Sequence, residues 1–203
     1  MSREEHYRSR LARYRAPSLS GAESSHDRRH HKPREDVIVD CGWGRLIFAH
    51  TFCDNRKLAD VLLAEKPGKR DIAFYVTDPH VLLAMEPQSL FLDPSHTYRL
   101  WLDRYKVSPL RPRGYTIRLL NSRKDAEAVH NVYLSRQMIS PPIDFMWNNR
   151  TSRGVLFFVA QDIDSGEILG AATGIDHVEA FDDPEKGASL WALAVDPQAR
   201  SPG

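Results

Sequence analysis

Two stretches of the 203-residue sequence combine residue types that do chemistry with a spacing that chemistry could use. The first is Leu193-Ala194-Val195-Asp196-Pro197-Gln198-Ala199-Arg200-Ser201-Pro202-Gly203, where an apolar run gives way to a turn-rich segment carrying Arg200 and Gly203. A phosphate group is held by several backbone N–H groups pointing one way, and glycine lets the backbone close on it without a Cβ in between. Arg-x-x-Gly alone identifies nothing; its place directly after a strand with a Val-Asp-Pro exit gives it weight. The second stretch holds Asp176, His177 and Glu179, three groups able to take a proton, at the end of another apolar run. Polar residues at a strand end are also ordinary solvated side chains, so this signal is weaker.

The other reactive residues read as bland. Cys41 and Cys53 are the only cysteines, with no CxxC or Cys/His ligand spacing around them. Each is expected to be a small buried hydrophobe, and a reducing, cytoplasmic setting is the expected compartment. His30-His31 has no third ligand fixed nearby, so no metal is expected. Residues 1–36 carry Arg3, Arg8, Arg10, Arg13 and Arg15 among few apolar residues, which predicts a disordered basic, His-containing tail. Interleaved Glu4, Glu5, Glu23 and Asp27 argue against a nucleic-acid arm, as does a net charge of +1. There is no secretory h-region and no run of the ~20 apolar residues a membrane helix needs, so no membrane partner is expected.

Those residues need elements to position them. Val37 to Cys41 and Arg45 to His50 are apolar runs around Gly42-Trp43-Gly44, a predicted hairpin with Trp43 as a core anchor. Lys57 to Glu65 has helical spacing; Ile72 to Thr77, His80 to Met85 and Tyr98 to Leu102 read as strands. Residues 37–108 thus form a small α+β unit, closed by Pro109, Pro112 and Gly114 as a linker. Beyond it, Tyr115 to Leu120 is a strand, Ala126 to Met138 an amphipathic helix capped by Asn121 or Ser122, and Asp144 to Asn149 a short helix. Val155 to Ala160 is apolar throughout and is expected to be buried on both faces. Glu167 to Val178 is a long strand, and Ser189 to Val195 is the last, with Tyr133 and Trp191 expected in the core.

Strand, helix, helix, strand, hairpin, strand, loop over residues 115–203 resembles the front two-thirds of the GNAT family of N-acetyltransferases. Leu193 to Gly203 looks like that family's fourth strand entering its Arg/Gln-x-x-Gly-x-Gly/Ala loop, with the chain ending inside the loop. The resemblance implies an α+β fold: an incomplete GNAT mixed sheet flanked by helices, after the tail and the small α+β unit. It implies acetyl-CoA as co-substrate, its pantetheine along Leu193, Ala194 and Val195, and its pyrophosphate at Arg200, Ser201, Pro202 and Gly203. The rest of the family's fold is expected in a longer chain.

Val37-Ile-Val-Asp-Cys-Gly-Trp-Gly-Arg-Leu and Phe91-Leu-Asp-Pro-Ser-His-Thr-Tyr-Arg-Leu-Trp-Leu102 extend the resemblance to the N-acetylglutaminylglutamine synthetases. These bacterial proteins couple a GNAT domain to an ATP-grasp ligase region and make an osmoprotectant dipeptide amide. Attack by a glutamine α-amine is then the implied reaction, with Asp176, His177 and Glu179 as candidate catalytic bases. An α-amine titrates at ~7.7–8.0, so roughly a tenth is neutral at pH 7 and no strong base is demanded. A GNAT acting on a protein N-terminus or small amine, and a non-catalytic GNAT-like binding module, are the alternatives.

Overall fold

Asp40 and two glycines make the first corner of the chain. Strand β1 (Ile38–Asp40) runs antiparallel to β2 (Arg45–Phe48). The Asp40 carboxylate accepts the Gly42 N–H at 2.8 Å, and Gly42 turns at φ +79°. A Cβ on Gly44 would lie 1.7 Å from the Arg70 carbonyl oxygen, because the approach to β3 crosses directly over this turn. Trp43 is buried there, as its reading as a hairpin anchor requires. The computed structural model describes residues 34–94, 98–102, 105–109, 113–183 and 186–199.

From β2 the chain crosses through helix α1 (Asn55–Leu63), capped by the Asp54 carboxylate, and returns as β3 (Ile72–Phe74), parallel to β2. Arg45 ties the unit together: its guanidinium binds Asp71 Oδ2 at 2.9 and 2.6 Å and the Val61 carbonyl at 2.7 Å. Residues 80–85, expected as a strand, belong instead to helix α2 (Pro79–Met85). Proline at the first helical turn costs no hydrogen bond and presets φ, and both Val81 and Leu82 donate to the Asp78 carbonyl. Tyr98 to Leu102 is no strand either: it pairs with no sheet, and Tyr98 and Leu102 are exposed. The β-prone alternation there finds no edge to join.

The expected tail lies outside the described residues as far as residue 33, and its last three residues are described. Asp36 donates its N–H to the Thr51 carbonyl and pairs with Lys57, and Arg34 pairs with Asp182 at 2.9 Å. Cys41 is fully buried, and burial, with Asp40 second, pushes its thiol up to about 12. Cys53 departs from expectation: it sits exposed just before the Asp54 cap, where the chain turns outward.

The second sheet is antiparallel throughout in the order β4 (Tyr115–Leu119), β5 (Val155–Asp162), β6 (Ile168–Asp176), β7 (Ala188–Val195). Helix α3 (Arg123–Ser135) opens with a full capping box between Ser122 and Asp125. Its buried face, Ala126, Val129, Val132 and Tyr133, packs on Phe157, Val159, Ala171 and Ala194 with Met146 of α4 (Ile143–Asn148). The register puts Ile117, Leu119, Leu190 and Val195 on the opposite face, all exposed. So β5 is deeply buried on one face only, at Phe157 and Val159; Leu156, Phe158 and Ala160 are half-covered. The chain is a mixed α+β fold of two sheets flanked by helices. A shared core of Val37, Val39, Cys41, Trp43, Leu46 and Phe48 with Ile175 and Phe181 joins the sheets, and Trp191 packs against it.

Candidate functional site

The last strand breaks its own ladder. Ala171 faces Ala194 and Thr173 faces Trp191, so Ala192 and Leu193 together oppose the single Ala172. This bulge sits on Ala192 at φ +49°, a left-handed conformation costing an L-residue about 1–2 kcal/mol. Packing of Ala192 against both the helix-sheet core and the shared core holds it there. The extra residue resets the alternation: Ala194 turns into the core, while Leu193 and Val195 are 68% and 54% exposed.

Among the described residues no strand pairs with β7 on its other side. Its outward N–H and C=O groups can therefore take an extended amide chain as a sheet edge takes a strand. Beyond the strand, Asp196 donates to the Leu169 carbonyl at 2.8 Å and its carboxylate accepts the Gln198 N–H at 2.7 Å, turning the chain away. Leu193, Ala194 and Val195 thus stand on a bulged sheet edge. Arg200, Ser201, Pro202 and Gly203 lie outside the described residues.

The three candidate bases part company. The strand expected to reach Val178 stops at Asp176, and a five-residue helix, α5 (His177–Phe181), follows. Asp176 is its cap, accepting the Val178 and Glu179 N–H groups at 2.9 and 3.1 Å. That competition of a carboxylate with the ladder is what ends the strand. Glu179 faces Arg153 at 3.3 Å, exposed on the surface.

His177 turns inward and is 7% exposed. Its ring is held edge-on by Phe48, centroids 5.0 Å apart at 89°, and covered by Phe181 at 5.2 Å. Nδ1 lies 3.5 Å from Asp183 Oδ2, and Nε2 lies 2.9 Å from Ser189 Oγ. The Trp191 indole donates to the same Ser189 Oγ at 2.7 Å, and the Gly187 N–H fixes Asp183 Oδ2 at 2.9 Å. Gly187 is required by this packing, since a Cβ would stand 2.8 Å from His177 Nδ1 and 2.9 Å from Asp183 Oδ2. A second imidazole, His50, is close enough to feel both groups: burial lowers its proton affinity, Asp183 opposes that and His177 adds to it.

Asp183 and Ser189 carried no mark in the sequence. Only the alternation of Ser189 and Trp191 along one strand hinted that they share a face. Tyr133 is buried as expected, and burial raises its phenol. Trp191 is half-buried and meets Phe74 of the first sheet at 4.9 Å. No helix of the described residues is long and apolar enough to cross a membrane.

No protein-family model and no curated protein matches the sequence. Among solved structures the chain is similar to an acetyltransferase of Trypanosoma brucei, at 19% identity and a TM-score of 0.32. The match spans 44% of this chain and 65% of the length of that one.

Proposed function

We propose that the chain carries an acetyl-CoA-dependent N-acetyltransferase domain. Its proposed acceptor is the α-amine of glutamine or a glutaminyl compound, in synthesis of N-acetylglutaminylglutamine amide alongside an ATP-grasp ligase region. The observation that supports this reading is the bulged, edge-exposed end of β7, with Ala192 at φ +49° and Leu193 and Val195 facing outward. Acetyl-CoA supplies the thioester. In this reading the free backbone groups of Leu193 to Val195 hold the pantetheine amides, and Arg200 to Gly203 meet the pyrophosphate. Each charge-assisted hydrogen bond to a phosphate is worth ~1.5–3 kcal/mol, so loss of that loop would remove most of the affinity. The bulge orients the strand end, and the helix-bearing face behind it keeps water from Ala194.

Release of CoA thiol on mixing the protein with acetyl-CoA and glutamine tests this. Saturable turnover with glutamine, and acetylglutamine by mass spectrometry, is the expected result. Turnover with a peptide N-terminus but not with glutamine would move the assignment to another amine acceptor. Binding of acetyl-CoA without transfer to either would leave a binding module.

A further inference from the structure

Resting on that functional reading, we infer that Ser189 is a catalytic proton relay, passing the acceptor amine's proton to the buried His177, which Asp183 orients. His177 is the one of the three sequence candidates that turns into the fold, yet at 7% exposure it cannot meet a substrate amine directly. Ser189 is half-buried on β7, on the stretch leading to the bulge, and touches it.

The hydroxyl's bonding capacity fits the role. A serine has one donor and two acceptor positions. Trp191 Nε1 fills one acceptor at 2.7 Å, which turns the O–H toward His177 Nε2 at 2.9 Å. One acceptor position stays open for an ammonium N–H. On the far side of the ring, Asp183 Oδ2 at 3.5 Å from Nδ1 favours the tautomer with its proton on Nδ1, leaving Nε2 to accept. Gly187 holds that carboxylate through its N–H at 2.9 Å. The groups facing the imidazole are thus Asp183 from the loop, Ser189 from β7, His50 from the turn after β2, and the rings of Phe48 and Phe181.

The step balances. The acceptor ammonium gives one proton to Ser189 Oγ as Ser189 gives its own to His177 Nε2, leaving a neutral amine and an imidazolium beside Asp183. The amine nitrogen then forms a bond to the thioester carbonyl carbon, the carbon–sulfur bond breaks, and the leaving thiolate takes the second amine proton. His177 returns its proton to solvent.

The experiment is kcat/KM for glutamine with the full chain and its Ser189→Ala and Ser189→Thr variants at pH 7, 8 and 9. With an α-amine pKa of ~7.7–8.0, Ser189→Ala is expected to lose about tenfold at pH 7, about twofold at pH 8 and nothing at pH 9. KM for acetyl-CoA stays unchanged, and Ser189→Thr, which keeps the hydroxyl, keeps most of the activity. A loss equal at all three pH values, no loss at pH 7, or Ser189→Thr as impaired as Ser189→Ala would overturn the relay. Nitrogen-15 spectra of the His177 ring provide a readout that needs no turnover. A neutral ring protonated at Nδ1, whose Nε2 signal moves in Ser189→Ala, is expected; a ring protonated at Nε2 contradicts the proton path. If the wild-type chain transfers acetyl to no amine, the functional reading fails and the relay with it. If transfer occurs but the pH pattern is absent, only the relay fails.

Discussion

Phe48→Ala is expected to lower the unfolding free energy by about 3–5 kcal/mol, the usual cost of removing a fully buried phenylalanine. Phe48 is 0% exposed and meets Phe74 at 4.5 Å, Phe181 at 4.4 Å and His177 at 5.0 Å between ring centroids. Those partners come from the first sheet, from α5 and from the candidate site, so the ring is the point where the two sheets share a core. Little can collapse into the gap, because its walls are rigid aromatic rings. Urea denaturation should show one transition, moved to lower urea at nearly constant slope. A loss below about 1 kcal/mol, within the range of surface substitutions, would contradict the shared core.

The second large effect lies at the entry to α3. Burial alone would raise the Asp125 carboxyl, but the Arg118 guanidinium, the Asn121 N–H and the Ser122 cap outweigh it and hold the group down at about 2. The fork is bidentate, at 2.7 and 2.9 Å, and ties β4 to the helix it precedes. Because the folded value lies below the ordinary carboxylate value of ~3.9, the stabilisation is complete above about pH 4. It is lost as pH falls from about 4 to about 2, and amounts to roughly 2.5 kcal/mol. Asp125→Ala, which strands Arg118 and opens the capping box, should cost about 3 kcal/mol at pH 7. That is the low end for a broken pair, since the Arg118 side chain is 25% exposed. The cost should shrink toward pH 2, where the wild type has lost the same interaction. A penalty unchanged between pH 7 and pH 2 would contradict the ion-pair account.

Much of the second half could be read from pattern. Asn121 or Ser122 before a 3.6-residue periodicity marked the start of α3, where Ser122 is the cap, and the runs expected at 155–160, 167–178 and 189–195 became three adjacent strands. Local signals misled where a cap or a turn outranks periodicity. Asp78-Pro79 starts a helix in an apolar run that alternation made a strand, and Asp176 cuts β6 two residues short to cap α5. The bulge at Ala192 was not visible, because alanine does not advertise a positive φ as glycine would. Ser189 was not visible because it meets His177 only through the return of β7 beside β6, and Asp183 because the loop after α5 folds back onto the ring. A pattern read along one chain carries no account of contacts made across a sheet.

The measurement that bears most directly on the account is a backbone amide map of the protein, by NMR, with and without acetyl-CoA. The largest shifts are expected on Leu193, Ala194 and Val195, with smaller ones at Ser189 and Trp191 and none along α1. Shifts confined to another surface, such as the pocket that Arg45 lines with Lys66 and Lys69 of the α1–β3 connection, or no shifts at saturating acetyl-CoA, would contradict the proposed site.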